Sequence, residues 1–150
     1  MTSAGENRTT SSTTVAAPPQ RVLDVIADLE AYPEWAGDVR AVTVLTHDEQ
    51  GRPEQVRFRL ETALLRDEYV LAYRWDDAAA TVSWTLVEST ALRAMDGSYV
   101  LTPLEGGAAT GVEYALAVEL AVPLPGMLRR RAEKAIVSTA LTSLKRRAES

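Results

Sequence analysis

Between Val39 and Ala121 apolar and polar side chains alternate with a period of two. That period marks β-strands with one covered and one wet face. Val42, Val44 and Thr46 alternate before a polar turn at His47–Pro53. Val56, Phe58 and Leu60 then oppose Arg57, Arg59 and Glu61, which should face solvent. Leu65, Asp67, Tyr69, Leu71 and Tyr73 oppose Arg66, Glu68, Val70, Ala72 and Arg74, and Asp76-Asp77 opens a turn. Val82, Trp84 and Leu86 form the next register. Leu92–Thr102 follows, its alternation blurred at Asp96-Gly97-Ser98, where the glycine suggests a bulge. Gly106-Gly107 turns the chain into Val112, Tyr114, Leu116, Val118 and Leu120. Six strands at this spacing, joined by short turns, predict an antiparallel meander.

Helical periods flank the meander. After a β-branched run at Thr9–Ala16, read as a strand, Pro18-Pro19 suits the first turn of a helix. Val22, Ile26 and Leu29 continue that helix at helical spacing until Tyr32-Pro33-Glu34-Trp35 breaks it and opens a second short helix. Pro123–Gly126 ends the strands, and from Met127 to about Ala148 there is neither proline nor glycine. The polar stripe of this last helix is narrow: Arg131, Lys134, Ser138, Thr142, Lys145 and Glu149. A helix resting on a sheet needs an apolar arc somewhat over 100° wide. This arc is wider, so the helix is expected to meet apolar surroundings on more than one side, with Ile136 and Ala140 buried against the sheet.

The 150 residues include no cysteine and one histidine, His47. Thiolate catalysis, Cys-ligated metals, disulfides and paired-His metal sites are therefore excluded. No metal or cofactor is expected, and no run is apolar enough for a membrane span. Residues 1–8 read as a disordered tail and 9–150 as a single domain. The N-terminus lacks the apolar core of a secretory signal, which points to the cytoplasm. The net charge of −5 argues against a nucleic-acid partner. Seven basic and two acidic residues nevertheless fall within 126–150. That segment reads either as a solvated helix whose last-turn cations suit the helix dipole, or as a weak contact with an anionic membrane surface.

Several stretches carry a family resemblance: Ala17-Pro18-Pro19 with Val22, Val25-Ile26-Ala27-Asp28, Tyr32-Pro33-Glu34-Trp35, Asp96-Gly97-Ser98-Tyr99, and Pro123–Gly126 with Ala132-Glu133-Lys134 and Leu144-Lys145-Arg146-Arg147. In this order, over about residues 10–148, the chain resembles the START-like (SRPBCC) superfamily, and within it the polyketide cyclase/dehydrase and lipid-transport family. Fourteen arginines to two lysines fit an actinobacterial member. The resemblance implies an α+β helix-grip fold: a curved antiparallel sheet wrapped around a long C-terminal helix, with an internal cavity for a lipophilic small molecule. It leaves open a carrier or binder, a polyketide aromatase/cyclase or dehydratase, and an interaction module with a vestigial cavity, as monomer or homodimer.

Catalytic signals are sparse. His47 sits in a polar turn beside Asp48 and Glu49, and there is neither a nucleophile elbow nor a glycine-rich phosphate loop. No catalytic residue is assigned. Asp67 shares its register with apolar residues, and a carboxylate there needs a partner. It is either a polar anchor for a ligand or a structural group held by Arg66, Arg93 or a tyrosine. The expected ligand-binding set is Phe58, Asp67, Tyr69, Leu71, Trp84, Tyr114 and Leu116 from the sheet, facing Ile136 and Ala140 from the last helix.

Overall fold

The computed structural model describes residues 8–61, 66–122 and 124–150. The expected N-terminal tail up to residue 7, Leu65, and Pro123 at the end of the strands lie outside them. In chain order the elements are β1 (Thr9–Val15), α1 (Pro19–Ala27), a 3₁₀ segment (Leu29–Glu34), β2 (Val39–Val44), β3 (Gln55–Glu61), β4 (Arg66–Asp76), β5 (Thr81–Ser89), β6 (Leu92–Leu104), a short 3₁₀ turn (Glu105–Gly107), β7 (Ala109–Leu120) and α2 (Gly126–Glu149). The strands form one antiparallel sheet in the order β1-β7-β6-β5-β4-β3-β2. The meander from β2 to β7 is as the alternation predicts. β1 joins it by pairing with β7 at the far edge, from Thr9 opposite Leu116 to Val15 opposite Thr110.

Alternation also fixes the faces. Val56, Phe58, Tyr69, Leu71, Val82, Trp84, Tyr99, Val112, Tyr114 and Leu116 are buried on the inner face. Arg57 and Arg59 are exposed on the outer one, as expected. Gly97 departs from expectation. The irregularity between β6 and β7 lies at Leu92–Ala94, not at Gly97, which keeps register with both Trp84 and Leu116. The glycine serves packing instead: a Cβ there would stand 2.5 Å from the Trp84 indole.

α1 and α2 cover part of the inner face. α2 packs along β1, β7 and α1, and so lies near one edge of the sheet. Its buried residues are Glu133, Val137, Leu141, Leu144 and Ala148, a single stripe at steps of three and four. Ile136 therefore corrects the expectation of burial: it is 47% exposed, while Ala140 is partly buried against the core. The physical reason is the helix's lateral position. A helix over the middle of the sheet would bury both flanks, whereas this one buries only the flank turned toward β1 and β7. The ridge Leu128–Ala132–Ile136–Ala140, at steps of four, lies beside the buried stripe and is largely uncovered.

The ends of α2 are tied to the chain's N-terminal elements. The Arg21 guanidinium of α1 donates to the carbonyls of Arg147 (3.2 Å) and Ala148 (3.4 Å), in the last turn, where helical donors run out. Glu149 accepts from the backbone N–H of Ala16 (2.7 Å) and pairs with Lys145, and those two interactions hold its carboxyl below the usual value. Arg147 reaches Glu34 of the 3₁₀ segment at 3.2 Å.

Candidate functional site

An unbroken run of aromatic rings crosses the inner face. Tyr69 stacks on Phe58 (centroids 5.4 Å), Phe58 approaches Tyr73 (6.4 Å), Tyr73 approaches Trp84 (5.6 Å), and Trp84 meets both Tyr99 and Tyr114 at 5.5 Å. Strand pairing places them: Phe58 lies opposite Tyr69, Tyr73 opposite Trp84, and Tyr99 opposite Tyr114. The 3₁₀ segment adds a rim to this row. Tyr32 sits 6.3 Å from Phe58 and 4.8 Å from Trp35, and its hydroxyl donates to the carbonyl of Ile26 at 2.7 Å. Beyond that rim Gly37 approaches the middle of α2: a Cβ built on it would lie 3.9 Å from Thr139 Cγ2. The two borders of the inner face thus come together at Gly37 and Thr139.

Burial shapes the chemistry of the row. Desolvation raises the hydroxyl pKa of Tyr32, Tyr69, Tyr73, Tyr99 and Tyr114 well above the ordinary phenol value, with the Asp67 charge adding to the effect at Tyr69. All five are neutral donors at physiological pH. Among the described residues the hydroxyls of Tyr99 and Tyr114 have no hydrogen-bond partner, nor are they sealed, since only Arg8 Nε and Arg129 Nε are both buried and unpartnered there. Tyr73 also keeps accessible surface although it is strongly desolvated. That combination describes a side chain deep in a concavity that solvent still reaches.

The structure brings together Phe58, Tyr69, Leu71, Trp84, Tyr114 and Leu116 from the expected set, all buried on one face. Asp67 is buried with them, at 6% exposure, but its partners are not those expected. Ser89 Oγ donates to one carboxylate oxygen (2.5 Å) and Thr90 Oγ1 to the other (3.1 Å). Arg66 and Arg93 turn instead to Glu61 and Glu119. Ser89 Oγ also accepts from the backbone N–H groups of Ala91 and Leu92, so Asp67 ties β4 to the β5–β6 turn. Tyr73 and Tyr99 belong to the row although the expected set omits them; their register was the available signal. Tyr32 carried none, because it lies in an aperiodic segment. His47 is exposed in its turn. Trp75 is partly buried and stacks on Tyr73 (centroids 5.6 Å), so it extends the row, and its indole N–H donates to the Pro53 carbonyl at 2.7 Å.

Glu133 of α2 is fully buried, at 1% exposure, and sequence reasoning missed it. It accepts from Thr9 Oγ1 (2.8 Å) and from the backbone N–H of Val118 (2.7 Å). Val118 lies beyond Thr9↔Leu116, the last pair of β1 with β7, so the carboxylate serves a strand N–H past the end of that ladder. No three acidic or histidine side chains among the described residues come together to hold a metal ion. No described helix is long and apolar enough to cross a membrane.

A curved antiparallel sheet gripping a C-terminal helix over an aromatic inner face is the helix-grip architecture of START-like proteins. The chain belongs to the polyketide cyclase / dehydrase and lipid transport family, which it matches over residues 15–145. Among solved structures it is similar to a START superfamily protein from Mycobacterium smegmatis, with a TM-score of 0.88 and 22% identity over 95% of this chain and 97% of the other. The Zhui aromatase/cyclase from Streptomyces sp. R1128 superposes with a TM-score of 0.79 at 18% identity, over 95% and 93% of the two chains. A protein from Thermus thermophilus gives 0.78 at 21% identity, over 94% and 96%. No functionally curated protein matches the chain.

Proposed function

We propose that this protein binds or carries a lipophilic or amphipathic small molecule on the inner face of its sheet, without covalent chemistry. The observation that carries the reading is the aromatic row from Tyr69 to Tyr114, concave and partly open at Tyr73. An apolar surface of this kind, with a few neutral O–H donors, suits an apolar guest with one or two hydrogen-bond acceptors. The uncovered ridge of α2 through Ile136 supplies the opposing wall at the entrance. Ala140 lies deeper on the same ridge.

The test is titration with a long-chain or polycyclic lipophilic probe, followed by tryptophan emission. Saturable change in the parent, lost in Trp84→Phe with probe binding retained, supports the reading. Ile136→Ser should change stability by no more than about 0.5 kcal/mol, as for an exposed position, yet weaken probe uptake. Failure of every lipophilic probe to bind overturns the carrier and leaves an interaction module.

A second reading draws on the neutral tyrosines of the row, Tyr69, Tyr73, Tyr99 and Tyr114, the Tyr32 hydroxyl being committed to the Ile26 carbonyl. Hydroxyls aimed at a bound polyketide could polarise its carbonyls, the electrostatic part of an aromatase or cyclase reaction, and the Zhui aromatase/cyclase shares the architecture. Turnover of a poly-β-ketone substrate, lost on replacing Tyr73 or Tyr99 by Phe, would favour it over carriage.

A further inference from the structure

We infer that the corner where β7 passes into α2 is a docking surface for an anionic lipid bilayer. Four side chains there expose apolar surface: Val122 is 75% exposed, Met127 70%, Leu128 47% and Leu124 42%. They follow closely on one another along the chain, and each is left exposed by the described elements. Immediately behind them the chain carries Arg129, Arg130, Arg131 and Lys134. None of these four makes an ion pair among the described residues. The basic residues at the other end of α2 are employed differently: Lys145 pairs with Glu149 and Arg147 with Glu34. Of the seven basic residues of this segment, Lys145 and Arg147 are thus committed to structure, and the uncommitted ones concentrate at the N-terminal end, four there against Arg146 alone at the other.

Charge complementarity names the occupant. The first turn of α2 contains no acidic residue and its N-cap, Pro125, offers no capping side chain. The positive end of the helix dipole therefore coincides with three consecutive arginines, an arrangement that opposes folding electrostatics unless an anion lies against it. Glu119, the acid of the adjoining cleft, is engaged by Arg93 at 3.3 Å and does not neutralise Arg129. The chain as a whole is −5, so a uniform anionic surface would repel it except at this corner. Exposed aliphatic side chains followed directly by cations match the two layers of a bilayer interface, acyl boundary below and phosphate above. Docked this way, the ridge Leu128–Ala132–Ile136 would run from the bilayer toward the meeting point of Gly37 and Thr139. That last consequence depends on the binding reading; the docking itself does not.

The experiment is co-sedimentation of the full chain with phosphatidylcholine vesicles, with and without phosphatidylglycerol, at low and high salt. Binding is expected only with phosphatidylglycerol and should weaken with salt. Each basic residue near an anionic surface contributes roughly fivefold in partitioning, so Arg130→Glu with Arg131→Glu should lower it about tenfold or more. Val122→Asp with Met127→Asp should lower it as well, by removing the inserted side chains. Arg146→Glu makes the same kind of charge change at the other end of the helix and should have a much smaller effect. Circular dichroism of each variant establishes that the fold persists. Absence of sedimentation with phosphatidylglycerol, equal binding to both vesicles, or an Arg146→Glu loss as large as the double reversal would overturn the inference.

Discussion

Gly97 is where a single missing side chain is most consequential. Its place opposite Trp84 lets the indole lie flat on the backbone of β6, at a distance no Cβ would tolerate. Gly97→Ala should destabilise the protein by about 1–3 kcal/mol through overpacking. In Gly97→Ala with Trp84→Leu most of that cost should vanish, because the two positions share one volume. Thermal melts of the four proteins in the cycle check this, and additive losses would show that the glycine matters for backbone reasons instead. The same residue illustrates what single-residue reading can miss. A glycine in a strand signals either a bulge or a close approach, and alternation alone does not tell which. Asp67 is similar: its register foretold burial, but not that the hydroxyls of Ser89 and Thr90 across the next turn would hold it.

At the scale of elements, α2 shows both the reach and the limit of periodicity. Its polar stripe faces away from the sheet, and its length agrees with the uninterrupted run after Pro125. The width of its apolar arc does not translate into extra burial, because the arc divides into a buried stripe through Val137 and an open ridge through Ile136. Periodicity gives angles around a helix axis; it carries no information about where that axis lies over the sheet. Glu133 begins the buried stripe, its one charged member, and is the most informative point for mutation. Glu133→Ala should cost about 3 kcal/mol or more by leaving the donors of Thr9 and Val118 unmet above a void. Glu133→Gln keeps the volume, and its amide can accept from the Val118 N–H while donating to the Thr9 hydroxyl, which accepts as well as donates, so it should cost less, about 1 kcal/mol, for the lost charge on the hydrogen bonds. Denaturant midpoints of the two variants test the order, and an unchanged midpoint in Glu133→Ala would show that the tie adds nothing.

Across the whole molecule burial acts in the same direction on all five tyrosines. They are all the tyrosines in the chain, and burial raises each above the ordinary value of 10.0. A raised folded-state value contributes stability that is complete below the unfolded pKa and is lost as pH climbs past it. The melting temperature should therefore fall steeply above pH about 10, and phenolate absorbance should emerge together with loss of tertiary structure. Phenolate appearing in a still-folded protein below that transition would show that burial does not hold these hydroxyls neutral. The meander was legible because turns and alternation are local. The placement of β1 was not, because its partner lies on the other side of the sheet in sequence. That pairing has a kinetic consequence. Residues 9–15 must wait for 109–120, and Thr9 must wait for Glu133, before the sheet edge and the helix close on each other. Loop closure over such distances is slow, so the nascent chain should keep its aromatic row uncovered until the far end emerges, a period in which chaperones rather than ligand would be its first company.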